Sequence, residues 1–175
     1  MLYTRSGDAG SSNLWDNRLP KHHVRFQALG ALDELNSFIG LGVASMPEEK
    51  IKNLLIWVQQ KLFIIQAQVS GAKDELKSQI TTQETEKLEG IIDELEKEIG
   101  PINKFVLPGG ATKAAWCDIM RTVTRRVERA LVALNEQSPL NPALLSYINR
   151  LSSLFFALAR VINKRANIKE QNPSY

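Results

Sequence analysis

Arginine residues recur on one side of a predicted helix over residues 121–129. Side chains three, four and seven residues apart share a helix face, so Arg121, Arg125 and Glu128 project together. We call this set the arginine stripe; Arg126 points away from it. Its guanidinium groups repel each other unless an anion lies between them, and their planar fork matches phosphate and carboxylate oxygens. The stripe indicates an anionic ligand or an acidic partner surface; the alternatives are a solvated face or a row of ion pairs between subunits.

The first 23 residues have no helical periodicity and contain a segment rich in glycine and hydroxyl groups, Ser6-Gly-Asp-Ala-Gly-Ser-Ser12. Glycine permits tight turns in which backbone N–H groups face an anion, and hydroxyl groups add further donors. The segment could therefore cradle a phosphate, although the Walker pattern Gly-x-x-x-x-Gly-Lys is absent. An ordinary surface loop is the alternative, but long ordered loops are often functional.

An acidic pair, Asp33 and Glu34, lies within an otherwise apolar helical pattern. It is either a solvated surface pair or a partner for one of the arginines.

The distribution of metal-ligating residues argues against a metal held by protein side chains. Both histidines, His22 and His23, lie in the leading segment, and the Glu-x-x-His pairs that build di-iron sites in helical bundles are missing. Cys117 has no cysteine or histidine close to it in sequence, which favours a thiol packed in the core. We predict no metal site built by the protein itself.

The composition indicates one globular domain. The chain has 175 residues, of which 43% are hydrophobic, and this is enough for a substantial core. The net charge of +3 is too small to indicate a nucleic-acid partner. A single cysteine fits a reducing compartment, and neither an apolar signal core nor a run long enough to span a bilayer is present, so we expect a cytoplasmic protein without membrane contact.

Helical periodicity predicts the elements that position these residues. Thr81-Thr-Gln-Glu84 has the form of a capping box, Gly100-Pro101 ends a helix, and Asn141-Pro142 begins the last one. No strand pattern is seen. We predict an all-α, five-helix up-and-down bundle over residues 1–175, with sequential neighbours antiparallel. Its parts are a long ordered loop at 1–23, helices within 24–163 (from about 25 to 45, 48 to 70, 81 to 99, 111 to 136 and from 142) and a frayed tail at 164–175.

Five motifs follow one another along nearly the whole chain. They read Tyr3-Thr-Arg-Ser-Gly-Asp-Ala-Gly10, Leu32-Asp-Glu-Leu-Asn-Ser-Phe-Ile-Gly40, Phe105-Val-Leu-Pro-Gly-Gly110, Arg121-Thr-Val-Thr-Arg-Arg-Val-Glu-Arg129 and Tyr147-Ile-Asn-Arg-Leu-Ser152. Each motif alone is weak, but the ordered set is specific. It resembles the PduO-type ATP:corrinoid (cobalamin) adenosyltransferases.

The resemblance implies a bundle that assembles as a homotrimer with active sites at the subunit interfaces. It also implies a reaction in which the 5′-deoxyadenosyl group of ATP moves to the Co(I) ion of a corrinoid, giving adenosylcobalamin and triphosphate. Mg²⁺ is required and is expected mainly on the ATP phosphates. A reductase and a cobalamin-dependent client enzyme are further partners that this chemistry suggests.

The resemblance further implies roles for individual residues. Arg121 pairs across the subunit interface with Asp33, and Phe105 occupies the lower face of the corrin. Together with Arg125 and Glu128, these are the residues expected to support catalysis. The residues expected to bind the nucleotide are Thr4, Arg5, Ser6, Gly7, Asp8, Gly10, Ser11, Lys21, Arg125, Glu128 and Asn149.

These roles agree with the chemistry. Cobalt must attack C5′ in line, so the enzyme needs positioning more than acid–base groups. Triphosphate is a highly anionic leaving group that backbone donors, arginine and Mg²⁺ can hold. An axial ligand makes Co(II) hard to reduce, and an apolar ring in its place removes that obstacle. We therefore expect a buried aromatic side chain at Phe105.

The chain departs from the family pattern at three positions. Ala9 replaces a lysine in Gly-Asp-Lys-Gly, and Lys21 or Arg5 is the candidate to supply the missing phosphate contact. Asp118 stands where histidine is common, and Ser153 stands where aspartate is common. These changes concern nucleotide affinity and corrin contacts.

Two other functions stay open from the sequence. The first is a non-catalytic helical module that binds nucleotide or an acidic partner through the Arg121 and Arg125 stripe. The second is a nucleic-acid binder, which is disfavoured because no aromatic residues interleave with the basic ones.

Overall fold

A computed structural model describes residues 3–15, 17–72 and 79–174. Helices dominate it, and none of those within the described ranges is long and apolar enough to cross a membrane. In chain order the elements are β1 (Ser11–Leu14), β2 (Asn17–Pro20), α1 (Val24–Ser45), α2 (Glu49–Ser70), α3 (Thr82–Ile99), α4 (Thr112–Gln137) and α5 (Pro142–Arg165).

The helix ends lie where the local residues predict them. The N–H group of Thr81 donates to the Glu84 carboxylate at 2.9 Å, which is one half of the expected capping box. Helix α3 stops at Gly100, whose φ of 82° is favoured by glycine. The side chain of Asn141 accepts a bond from the Ala143 N–H group at 3.0 Å, with Pro142 as the first helical residue.

The apolar stripes of the five helices meet in one core, which confirms the predicted bundle. Helix α1 packs against α2 and α4, α4 packs against α5, and α5 packs against α3. Helix α3 therefore has its main contact with α5 rather than with its neighbours in sequence. The arrangement places the middle of α4, which carries the arginine stripe, between α1 and α5.

The leading segment differs from the prediction because it contains a short antiparallel hairpin. Strands β1 and β2 pair with Ser11 opposite Pro20 and Leu14 opposite Asn17. Each strand has four residues, which is too short for an alternating pattern to stand out in the sequence. The indole of Trp15 donates to the Ser70 hydroxyl at 2.7 Å and attaches the hairpin to the end of α2.

The prediction of a frayed tail is wrong for the described residues beyond α5. The N–H group of Leu107 donates to the Gln171 carbonyl at 2.8 Å, and the side chain of Asn172 donates to the Phe105 carbonyl at 2.7 Å. The tail thus lies along the loop between α3 and α4. Its partners are more than sixty residues away in sequence, so no local pattern could show them.

Candidate active site

The arginine stripe opens onto two adjoining hollows. The larger one, the main cavity, has a volume of about 1120 Å³ and lies between the end of α3, the loop before α4, and helices α4 and α5. The smaller one, the side recess, measures about 250 Å³. Arg121 and Phe156 line both hollows, and Arg125 lines the recess. The two arginines therefore face space that a ligand can enter.

Arg121 is mostly covered, with 27% of its side chain exposed. Its Nε atom is buried and has no hydrogen-bond partner among the described residues. The Asp118 carboxylate, one turn earlier on α4, is 4.0 Å from this atom. Asp33, its expected partner, is exposed on α1. The expected pair would join two subunits and stays a prediction.

The other charged residues of α4 divide as the helical spacing predicts. Arg126 forms an ion pair with Glu34 of α1, so it does point away from the stripe. Glu34 is thus an arginine partner within the chain. Arg125 is exposed and forms no ion pair with a residue in the described ranges. Its guanidinium therefore remains available to an anionic ligand.

Glu128 and Asn149 meet where α4 packs on α5. The Asn149 amide donates to the Glu128 carboxylate at 2.7 Å, and its oxygen accepts from Arg150 at 2.6 Å. Arg150 in turn donates to Glu89 of α3 at 2.7 Å. Two residues predicted to contact the nucleotide therefore lie together, with a row of polar contacts behind them.

Phe105 lies on the loop between α3 and α4 and lines the main cavity. Its residue surface is 78% exposed, so the expectation of a buried ring is wrong for the isolated chain. The reason is that the tail fixes the loop through its backbone and leaves the ring uncovered. Ile102 and Leu107 are also more than 40% exposed, which makes this loop an apolar edge of the cavity.

The glycine- and hydroxyl-rich residues at the start of the chain fold back on the hairpin. The hydroxyl groups of Thr4 and Ser6 are 2.7 Å apart. The backbone N–H of Lys21 donates to the Gly10 carbonyl at 2.9 Å, and a Cβ atom on Gly7 would lie 3.1 Å from the Lys21 amine. The structure thus gathers most of the residues predicted to hold triphosphate into one compact loop beside a lysine.

Arg18 is a member of this loop that the sequence did not suggest. Its guanidinium donates to the Ser6 carbonyl at 2.7 Å and to the Ser11 hydroxyl at 2.9 Å. It lies opposite Asn13 in the hairpin, and this register is visible only once the strands are known. Arg5, by contrast, places its guanidinium 5.5 Å from the centre of the Tyr3 ring. Of the two candidates to replace the missing lysine, Lys21 has its amine beside Gly7, whereas the Arg5 guanidinium faces the Tyr3 ring.

In the single chain, the loop and the stripe belong to different surfaces. Among residues 3–15 and 17–23, none lines the main cavity or the side recess. The hairpin is instead attached to the end of α2 through Trp15.

Asp118 and Arg160 form a buried ion pair that the sequence did not suggest. Their carboxylate and guanidinium are 2.9 Å apart, and the residues are 5% and 2% exposed. Arg160 also lies 3.0 Å from Glu170 of the tail. In sequence, Arg160 stands in a polar stripe with Asn149 and Ser153. Its burial could not be recognised because Asp118 lies 42 residues away and Glu170 lies in the tail, beyond the end of α5.

Cys117 is fully buried, and burial raises the pKa of its thiol to about 12. The predicted core thiol is confirmed.

Comparison with known proteins agrees with the fold. The sequence model of the family described as cobalamin adenosyltransferase matches residues 2–162. The corrinoid adenosyltransferase of Bacillus subtilis is 38% identical over 171 residues, which are 95% of this chain and 89% of that protein. The corrinoid adenosyltransferase PduO of Salmonella typhimurium is 36% identical over 170 residues, and the chain spans 51% of its length.

A solved structure covers the chain completely. It is that of a variant PduO-type ATP:corrinoid adenosyltransferase from Lactobacillus reuteri complexed with cobalamin and ATP, with a TM-score of 0.92, 33% identity and 100% coverage of both chains. The chain belongs to the cobalamin adenosyltransferase family. The resemblance drawn from the five motifs is confirmed.

Proposed function

We propose that the chain transfers the 5′-deoxyadenosyl group of ATP to the Co(I) ion of a corrinoid and releases triphosphate. The observation that carries the proposal is the main cavity, in which an exposed phenylalanine, Phe105, and a mostly covered arginine, Arg121, line the same space. Family membership and the likeness to a structure complexed with cobalamin and ATP support the assignment.

The main cavity suits a corrinoid, which has a broad apolar face and amide groups around its edge. Ile102, Phe105 and Phe156 provide apolar surface, while Asn103 and Lys104 provide polar groups. Covering the exposed Phe105 ring with the macrocycle would contribute roughly 1.5–3 kcal/mol to binding. With the ring on the side of the cobalt where an axial ligand would bind, the Co(II) form becomes easier to reduce.

The nucleotide site is proposed to lie between two copies in a homotrimer. One copy supplies the loop from Thr4 to Ser11 with Lys21, and the other supplies Arg121 and Arg125. Two observations support this division: no described residue before α1 lines either hollow, and the Arg121 side chain is 27% exposed and lines both of them. Asp33 of the neighbouring copy would then pair with the exposed part of this side chain.

Mg²⁺ fits this site as part of the nucleotide complex. The ion usually keeps several waters and is held by one or two carboxylates together with substrate phosphates. Asp8, exposed in the loop, is the carboxylate that matches this need. When bound, the ion would neutralise charge on the leaving triphosphate. The cytoplasmic location, the reductase and the client enzyme stay predictions of the sequence.

The experiment that tests the proposal separates an enzyme from a binding module. The purified protein would be titrated with Mg-ATP and then mixed, without oxygen, with chemically reduced cobalamin. We expect saturable ATP binding followed by loss of the Co(I) absorption band and growth of a light-sensitive alkylcobalamin. Binding without spectral change, for cobalamin and for cobinamide, would contradict the proposal and favour the non-catalytic module.

A further inference from the structure

Four side chains of alternating charge run from the tail to the main cavity. Glu170 lies 3.0 Å from the Nε atom of Arg160, and the Nη2 atom of Arg160 lies 2.9 Å from an oxygen of Asp118. The second oxygen of Asp118 is 4.0 Å from the Nε atom of Arg121. A buried carboxylate thus connects the C-terminal tail with the arginine that lines both hollows.

The same carboxylate fixes the end of the loop that carries Phe105. The N–H group of Gly109 donates to the Asp118 oxygen that also faces Arg160, at 3.0 Å. The Asn163 side chain then donates to the Gly109 carbonyl at 2.8 Å and accepts from the Ala111 N–H group at 2.9 Å. One oxygen of Asp118 therefore accepts a hydrogen bond from the loop that carries Phe105, and the other faces Arg121 at the longer distance of an ion pair.

The fit around this loop end is close. A Cβ atom on Gly110 would lie 2.4 Å from the Asn163 oxygen, and the φ of 97° at Gly110 also favours glycine. The loop is held again two residues before Gly109, where the Gln171 carbonyl accepts from the Leu107 N–H group. The backbone around Phe105 is thus fixed while its ring stays free to contact a ligand.

We propose that Asp118 is a positioning residue, which holds the Phe105 loop at Gly109 and orients the Arg121 side chain. The inference rests on the proposed function, because the loop and the arginine matter for the corrinoid and the nucleotide. Losing the charge of Asp118 removes one of the two carboxylates that face Arg160 in the described part of the chain, and also the one that faces Arg121. The arrangement therefore depends on the charge of Asp118 as well as its shape. A carboxylate also offers two acceptor oxygens, whereas the histidine common at this position in the family offers at most one acceptor nitrogen.

The test uses Asp118→Asn, which preserves size and removes the charge. Two rates would be measured: reduction of Co(II) corrinoid in the presence of Mg-ATP, and transfer to Co(I) prepared chemically. A loosened loop misplaces the Phe105 ring, and a displacement of about 1 Å can cost on the order of a hundredfold in rate. We expect reduction to fall roughly ten- to a hundredfold more than transfer, with less axial-ligand-free Co(II) in the spectrum of the bound corrinoid.

Hydrogen exchange provides a readout that does not depend on activity. In Asp118→Asn, the amides of Gly109 and Leu107 should exchange faster, while those of the α4 interior stay protected. Glu49→Gln is the matched control, because it removes an exposed ion pair with Lys52 on α2. Glu170→Gln removes the charge at the tail end of the series Glu170, Arg160 and Asp118. It should speed exchange of the same loop amides by a smaller factor, and it keeps the inference testable if Asp118→Asn fails to fold.

Unchanged exchange at Gly109 together with equal loss of both rates would overturn the inference. An inactive wild-type protein would overturn the proposed function instead, and the exchange experiment would still decide whether Asp118 holds the loop.

Discussion

Asn149 on α5 donates its side-chain amide to the Glu128 carboxylate on α4 at 2.7 Å. The amide oxygen accepts from Arg150, so both ends of this side chain are fixed. Arg125, one turn before Glu128, has no ion pair of its own in the described part of the chain and lines the side recess. Helices α4 and α5 thus present the held Asn149 side chain near Arg125, which is open to an anion.

Changing Arg125 to alanine should abolish most turnover without affecting the fold. The residue is exposed, so the free energy of unfolding should change by about 0.5 kcal/mol or less. Loss of a cation that stabilises the leaving phosphates should lower kcat roughly a hundred- to a thousandfold. Steady-state kinetics and thermal unfolding would measure the two effects.

Arg126→Ala is the matched control for Arg125. It removes the next arginine, which pairs with Glu34 instead of facing the recess. It should cost at most about 1 kcal/mol of stability and leave the rate nearly unchanged. Equal rates in wild type and Arg125→Ala would refute the role of the stripe.

Changing Phe105 to alanine should slow the reduction of Co(II) more than transfer to preformed Co(I). The ring is exposed in the free chain, so the variant should unfold at nearly the wild-type temperature. Anaerobic assays that start from each oxidation state would separate the two steps. Leu107→Ala, which removes another exposed apolar side chain from the same loop, is the control and should affect both steps alike. If Phe105→Ala also slows reduction and transfer equally, the ring does not displace an axial ligand.

Changing Asp33 to asparagine should weaken the trimer or the corrinoid site. Asp33 lies in an open groove between α1 and α2 beside the exposed Phe63 ring. Removing the carboxylate would leave Arg121 of the neighbouring copy without its partner, which is costly in a partly buried position. Sedimentation velocity and corrinoid titration would measure the effect.

Glu34→Gln is the matched control for Asp33, because its partner Arg126 lies in the same chain. It should leave both sedimentation and titration unchanged. Identical behaviour of the two variants would show that the pair across the interface does not form.

Glu84 should stabilise the fold in a pH-dependent way. Burial by itself would raise the pKa of this carboxyl, but hydrogen bonds from Thr81 and Lys61 outweigh it and lower the pKa to about 2. A lowered pKa in the folded state means that the stabilisation is complete above the ordinary value of 4.5 and is lost as the pH falls toward 2. Glu84→Gln should therefore cost roughly 1–2 kcal/mol at pH 7 and much less at pH 2.5.

Urea unfolding at the two pH values would measure this difference. Glu86→Gln, an exposed change on the same helix, is the control and should have little effect at either pH. A cost for Glu84→Gln that stays constant between the two pH values would show that the carboxylate charge is not what stabilises the start of α3.

Local features of the sequence were sufficient to predict the helices and much of the site. Thr81 and Asn141 act through neighbours a few residues away, so their positions mark the helix starts. The joint orientation of Arg121, Arg125 and Glu128 follows from helix geometry alone. The contact between Glu128 and Asn149 needs only the packing of α4 on α5, and the resemblance had already placed both residues at the nucleotide.

Long-range contacts account for what the sequence did not show. Asp118 lies more than forty residues before Arg160 and Glu170, and each of the three alone resembles an ordinary surface charge. The exposure of Phe105 follows from the tail, which holds the loop by its backbone and leaves the ring uncovered. The pairing of Asp33 with Arg121 and the trimer need more than one chain and stay predictions.

The most direct test of adenosyl transfer is a single turnover with wild-type protein, Mg-ATP and Co(I) cobalamin in the absence of oxygen, with both products quantified. We expect one light-sensitive adenosylcobalamin and one triphosphate for each cobalamin consumed. Release of diphosphate and phosphate without a cobalt–carbon product, or no reaction while ATP remains bound, would contradict it.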